Sequence, residues 1–449
     1  MAVAPPAAEP PPQAEAPPRL FDFPGAQLEV EVLPLRETLL AGGPAENYYL
    51  VILRSQAAGG QVSQVTLNLG LLLDKSHSML GGPFAQATEG ALAVMSQLDR
   101  RDHISILVFD EAAEPVVVQA TTQALPEAAK KLRAQVIAGG RTDLEAALTA
   151  GGRALELGKR PQDAHKLLLL TDGRPTAGAL EPAELTPVAE GLRAHHISLS
   201  CIGLGLDYDE ELLMALADKG GGHYYHSSRP RDVKKLFQRE MAAFKNIHLR
   251  ELELRISPVP GFGLTQVVHY ESRMIEGSHR IPLPDLEKAE ELEILLKVQG
   301  EPHTPGIFKA FDFALAYQPV GEPQGDEAQG FGFLRFSDDP AAFKGVGNHP
   351  RVDRALAVKN VQSHLLSTIQ GLKTQTLSRQ EAHAQLKEYQ KTLVLKGRTL
   401  EAMEIGQAIQ HLGAGQEEEA VKELGQSAFS LKRGPRTDLP GLSGEDGKE

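Results

Sequence analysis

Hydrophobic positions along this chain follow two periods, and the places where the period changes divide it. Over residues 21–63, LEVEV alternates polar and apolar positions and NYYLVILRS is a β-rich run, with the turn residues AGGP between them. These are expected strands of a β domain. Over 64–246 the pattern changes. QVTLNLGLLLD, HISILVFD, HKLLLLTDG and ISLSCIGLG are nearly continuous apolar runs, and EPVVVQA and GHYYHSS are short strands. Between them lie helical patterns. GPFAQATEGALAVMSQLD places Ala87, Ala91, Val94, Met95 and Leu98 on one face, and LPEAAKKLRAQVIAG, TDLEAALTAGGRALEL, ELTPVAEGLRAHH, DEELLMALADKG and RPRDVKKLFQREMAAFKN read the same way. Strands that alternate with helices and are apolar throughout belong to a mainly parallel sheet covered on both faces, so the expected fold is a doubly wound, Rossmann-like α/β domain.

Strand patterns return over 247–345, from IHLRELELRISPV to GFGFLRFS. The expected arrangement is a second β block, sandwich-like and completed by the N-terminal strands, with the α/β domain inserted between the two parts. Residues 350–431 are helical in pattern, and Ser378 with Glu381 forms an expected capping box. The proline- and alanine-rich residues 1–20 and the polar residues 432–449 read as disordered tails.

Composition narrows the function. A formal net charge of -13 argues against nonspecific nucleic-acid binding, and no nucleic-acid partner is expected. The only cysteine, Cys201, excludes an internal disulfide framework and reads as a buried thiol. The N-terminus lacks the positive and leucine-rich regions of a signal peptide, and no apolar run is long enough to span a bilayer. The expectation is a cytoplasmic protein without membrane insertion.

Three strand ends carry oxygen-bearing side chains. The run LLLDKSHSML ends in Asp74, followed at alternating positions by Ser76 and Ser78. GGRTDL places Thr142 in a glycine-rich loop before a helix, and LLLLTDGRPT ends in Thr171 and Asp172. In a doubly wound sheet the C-terminal strand ends form the ligand edge. Two carboxylates and three hydroxyls are hard donors that suit Mg²⁺, with Mn²⁺ or Ca²⁺ as alternatives, and the absence of histidine and cysteine from the set argues against zinc. Lys75, His77, Arg141 and Asp143 are the candidate rim.

DxSxS, a glycine–threonine–aspartate loop and a strand ending in TDG, in this order, resemble the von Willebrand factor A domain family and its metal-ion-dependent adhesion site. The resemblance covers the α/β region, and the flanking segments are similar to those of bacterial intracellular members. It implies a parallel sheet with one antiparallel edge strand. It also implies a metal touched by Ser76, Ser78 and Thr142, with Asp74 and Asp172 holding waters and hydroxyls or approaching the ion. A partner's Asp or Glu would complete the shell, and association with an AAA-type ATPase is a further implication. His77 stands where the family usually has glycine, so it either modifies access to the metal or points to solvent.

The expected function is therefore a non-enzymatic, metal-dependent protein-binding or adaptor module. Two alternatives stay open: a Mg²⁺-dependent phosphoester hydrolase, for which Lys75 and Arg141 would contact phosphate, and a structural scaffold with an unused site. No GxSxG elbow, Walker A motif or complete dinucleotide fingerprint occurs. His195 and His196 read as helix-terminal residues. HYYH at 223–226 reads as a sheet-edge strand in preference to a metal site, and Glu417–Glu419 as an acidic helix start.

Overall fold

The computed structural model describes residues 27–56, 65–135, 139–322, 324–343 and 347–432. The expected terminal tails lie outside these residues, apart from Lys432 at the end of the last helix. Three strands come first: β1 (Leu28–Pro34), β2 (Thr38–Leu40) and β3 (Ala45–Ser55). The α/β domain follows with β4 (Leu67–Asp74), α1 (Gly82–Met95), β5 (His103–Phe109), β6 (Ala113–Ala120), α2 (Leu125–Arg133) and α3 (Leu144–Glu156). It continues with β7 (Ala164–Thr171), α4 (Pro182–Ala194), β8 (Ile197–Leu204), α5 (Glu210–Gly220), β9 (Gly221–Ser227) and α6 (Val233–Lys245). The helix read from LPEAAKKLRAQVIAG is shorter than its pattern, because α2 ends at Arg133.

The sheet order is β6-β5-β4-β7-β8-β9, parallel except for β6. Every residue of β4 and β7 is buried. Leu67, Leu69, Leu71, Leu72 and Leu73 are fully removed from solvent, and at about 2 kcal/mol per buried leucine this apolar run is stable only in the centre of a two-sided sheet. Helices α1, α2 and α6 cover one face and α3, α4 and α5 the other. A Cβ on Gly90 of α1 would lie 2.3 Å from the Phe237 ring of α6, so only glycine allows these two helices their close approach. From β4 the chain passes to β5 on one side and later to β7 on the other. The switch point of the sheet therefore lies between the C-terminal ends of β4 and β7, where a doubly wound fold opens a crevice.

After α6, with only Asn246 between, the chain enters β10 (Ile247–Pro258). Next come β11 (Phe262–Val267), β12 (Arg273–Ile275), β13 (Ser278–Pro282), β14 (Leu286–Glu287), β15 (Glu291–Gly300), β16 (Gly306–Pro319) and β17 (Asp326–Ser337). One sheet runs β1-β3-β15-β11 and the other β12-β13-β10-β16-β17-β2, and their inner faces share one hydrophobic core. The antiparallel register Ile294↔Val51 joins β3 to β15 directly. The N-terminal strands are therefore integral to this β unit, and the α/β domain is inserted between β3 and β10.

Four helices end the described residues: α7 (Pro350–Lys373), α8 (Arg379–Leu395), α9 (Thr399–Gly413) and α10 (Glu417–Leu431). Ser378 and Glu381 form a capping box at the start of α8. Helix α7 packs Val352 and Ala355 against Leu50, Ile52 and Leu295 of the β unit. Helix α10 docks on the α/β domain. Its buried Lys422 donates to the Tyr208 carbonyl (2.8 Å) and to Glu210 (3.0 Å). Among the described residues no helix is long and apolar enough to cross a membrane.

Candidate metal centre

Asp74 closes β4, paired across the sheet with Phe109, and its side chain is buried. One carboxylate oxygen accepts the Ser76 amide at 2.8 Å and the other accepts the Thr171 hydroxyl at 2.5 Å. This hydrogen bond joins the two strands that flank the switch point. The chain then makes a single 3-10 turn, His77–Met79, and Ser76 precedes it in extended conformation. That turn brings the Ser76 and Ser78 hydroxyls 3.2 Å apart. Ser78 in turn donates to Asp172 at 2.6 Å, just past the end of β7.

Thr142 enters from the third loop. Its amide donates to the Thr176 hydroxyl at 2.9 Å, and its carbonyl accepts the amides of Thr176 and Ala177. Asp143 is the N-cap of α3 and accepts the Ala146 amide at 2.9 Å, which fixes the loop that carries Thr142. A Cβ on Gly173 would stand 3.4 Å from the Ser78 hydroxyl and 3.7 Å from that of Thr142, so both oxygens face the same small residue. Asp74, Ser76, Ser78, Thr142 and Asp172 thus come together from three loops at the sheet's switch point.

Burial pushes the Asp172 carboxyl up to about 6, with Asp74 and Asp207 adding to the rise and the Ser78 hydrogen bond opposing it. Burial also raises Asp74, against the hydrogen bonds from Thr171 and Ser76. The strongest influences on both groups are burial, hydroxyls, amides and other carboxylates. Two buried acids surrounded by neutral oxygens are the donor chemistry that a hard divalent cation satisfies, so the residues fit such an ion.

The candidate rim divides. His77 is exposed, its amide faces the Gly140 carbonyl, and its ring lies beside Gly139. Arg141 is exposed and pairs with Glu111 at 3.3 Å. Asp143 is committed to capping. Lys75 does not belong to the rim. It is only 6% exposed and points to Asp110 (3.6 Å) and Glu114 (3.1 Å), because as Asp74's neighbour in extended chain it faces the opposite way. Sequence reasoning named Thr171 at its strand end without giving it a role and missed Thr176; they hold Asp74 and Thr142 in place. Their signal was a hydroxyl at a strand end or within a few residues of one.

A cavity of about 430 Å³ lies elsewhere. It opens at the N-terminal ends of β7 and β8 against the β unit, and none of the five oxygen-bearing residues lines it.

Residues 68–239 match the family model of the von Willebrand factor type A domain. An uncharacterised protein of Synechocystis is 25% identical over 238 residues, covering 52% of this chain and 55% of that protein. The match therefore spans little more than half of that relative's length. Two solved structures share the fold over most of the chain. A von Willebrand factor type A protein from Catenulispora acidiphila superposes with a TM-score of 0.71 at 18% identity, over 86% of this chain and 91% of that one. The ArnB paralog VWA2 from Sulfolobus acidocaldarius gives a TM-score of 0.63 at 18% identity, over 91% and 98% of the respective chains.

Proposed function

We propose that the type A domain is a magnesium-dependent protein-binding module. In this reading Asp74, Ser76, Ser78, Thr142 and Asp172 hold the ion, and the captured group is an aspartate or glutamate side chain of a partner protein. Mn²⁺ or Ca²⁺ would serve in place of Mg²⁺. When bound, the ion supplies a Lewis-acidic centre that an outside carboxylate can ligate. The observation that carries this reading is the convergence of five hard oxygen donors from three loops at the switch point. Ser76, Ser78 and Thr142 are neutral donors, so Asp74 and Asp172 alone supply negative charge, and a position left open on the ion can take an outside anion. Thr171 and the Asp143 cap keep the donors in place.

The hydrolase alternative calls for a cation free to hold phosphate, and the two candidates are engaged. Lys75 faces Asp110 and Glu114, and Arg141 pairs with Glu111. Binding at the metal would be passed on through α6, which runs almost without a break into β10 of the β unit. Association with an AAA-type ATPase, and a cytoplasmic setting, belong to the same proposal.

The test immobilises the protein and exposes it to native lysate in Mg²⁺, in EDTA, and as Asp74→Ala in Mg²⁺. The expected result is a protein retained only by wild type in Mg²⁺ and lost when one of its own acidic residues is changed to the amide. Equal recovery in all three arms would sink the proposal.

A further inference from the structure

We propose that His411, Glu419 and Glu423 form a second divalent-metal site, suited to Zn²⁺, that clips α9 to α10 beside the edge strand β9. His411 lies in the last turn of α9. The chain then reverses tightly. Gly415 takes φ +81°, and the Gln416 amide returns to the His411 carbonyl at 2.8 Å. Glu419 and Glu423 are four apart on α10 and so project from one face of that helix towards the histidine. One ligand atom from each of the three residues lies within 4.8 Å of the others, and His411 Nδ1 is 2.9 Å from a Glu423 carboxylate oxygen. Donors about 2.0–2.2 Å from a tetrahedral Zn²⁺ stand roughly 3.3–3.6 Å apart, so modest side-chain adjustment closes the set.

The surroundings support Glu419 as a ligand. His226, at the end of β9, holds Nε2 3.5 Å from Glu419 and Nδ1 2.8 Å from the Tyr208 hydroxyl. A carboxylate only accepts, so Nε2 carries the proton and the hydroxyl donates to Nδ1. His226 then orients Glu419 from behind, as outer partners orient metal ligands. The side chains of Glu419, Glu423 and His411 are 12%, 16% and 32% exposed, which leaves a route for an ion. The donor set is also unlike the first site. A nitrogen with two carboxylates favours a borderline transition metal, whereas the Asp74 set is all oxygen. The two sites share no residue, so this one stands whether or not the first binds a partner.

The experiment uses the full chain without a histidine tag, carrying Asp74→Asn to silence the first site, and adds Zn²⁺ or Co²⁺ in excess Mg²⁺. The expected result is one tightly held Zn²⁺ per chain by dialysis and metal analysis, together with the intense visible absorption of tetrahedral Co²⁺. Adding His411→Ala or Glu423→Gln should weaken binding at least tenfold and remove the Co²⁺ bands. Glu423→Gln keeps the side-chain volume, and a thermal melt without metal checks that each variant is folded. Zn²⁺ stoichiometry and affinity unchanged by both added substitutions, or no Zn²⁺ bound by Asp74→Asn alone, would overturn the proposal.

Discussion

The two ends of the parallel sheet place acids in different company. At the C-terminal end, burial raises Asp74 and Asp172, and their close partners are hydroxyls and an amide. At the N-terminal end, Lys166 of β7 reaches Asp285 of the β unit. Burial alone would raise that carboxyl, but the lysine's charge and hydrogen bond hold it below its ordinary value. Arg250 of β10 also donates to the carbonyls of Asp163 and Pro161, and Arg193 to that of Leu283. One end is bolted to the neighbouring domain by protein cations. The other presents acids that an added cation would satisfy. The same fold thus separates an anchored end from an end with uncompensated acids along the length of its strands.

The largest expected effect breaks the anchored end. Lys166→Met leaves Asp285 without its cation and should cost about 3 kcal/mol in urea unfolding. The paired change with Asp285→Asn should recover much of that loss. A loss near zero for the single variant would erase the contrast.

The next prediction sharpens the open end. Mg²⁺ at about 100 times its Kd should stabilise wild type by about 2.7 kcal/mol, read as a rise in thermal midpoint. Asp74→Asn should show no rise. A similar rise in both proteins would move the ion away from this site.

A pH effect of about 2 kcal/mol belongs to the anchored end. Burial pushes His165 down to about 4, and the ring is held neutral between Asn68 and the Arg160 carbonyl. Its folded pKa is depressed, so its contribution is complete above the unfolded value near 6.5 and is lost as pH falls towards 4. His165→Gln should flatten the stability profile in that window, and an unchanged slope would assign the effect to other groups. The smallest effect is at the rim. Arg141→Ala removes one exposed ion pair and should change stability by less than about 0.5 kcal/mol.

Much of the α/β domain is legible before folding. LNLGLLLD and AHKLLLLT are apolar at every step of a strand's two-residue period except where a polar side chain finds a partner, as Asn68 does with His165. Asp74, Ser76 and Ser78 are near neighbours, so their meeting needs only one short turn. Lys75 shows where adjacency misleads. It follows the candidate ligand Asp74, yet the alternation of an extended chain turns it towards Asp110. His226 and Glu419 show a different limit. Each read correctly as a strand residue and a helix-start residue, but they are 193 residues apart and meet only because α10 docks against β9.

The sequence by itself therefore determined the character of each segment, the donor types at each strand end and the caps that begin particular helices. These depend on local periods and on side chains a few residues apart. Tertiary structure alone decided that β3 pairs with β15, that Lys166 meets Asp285, and that His411 faces two glutamates beside β9. Such meetings depend on sheet order and domain docking, and these are set by the sum of many long-range burial terms that no short stretch of chain encodes.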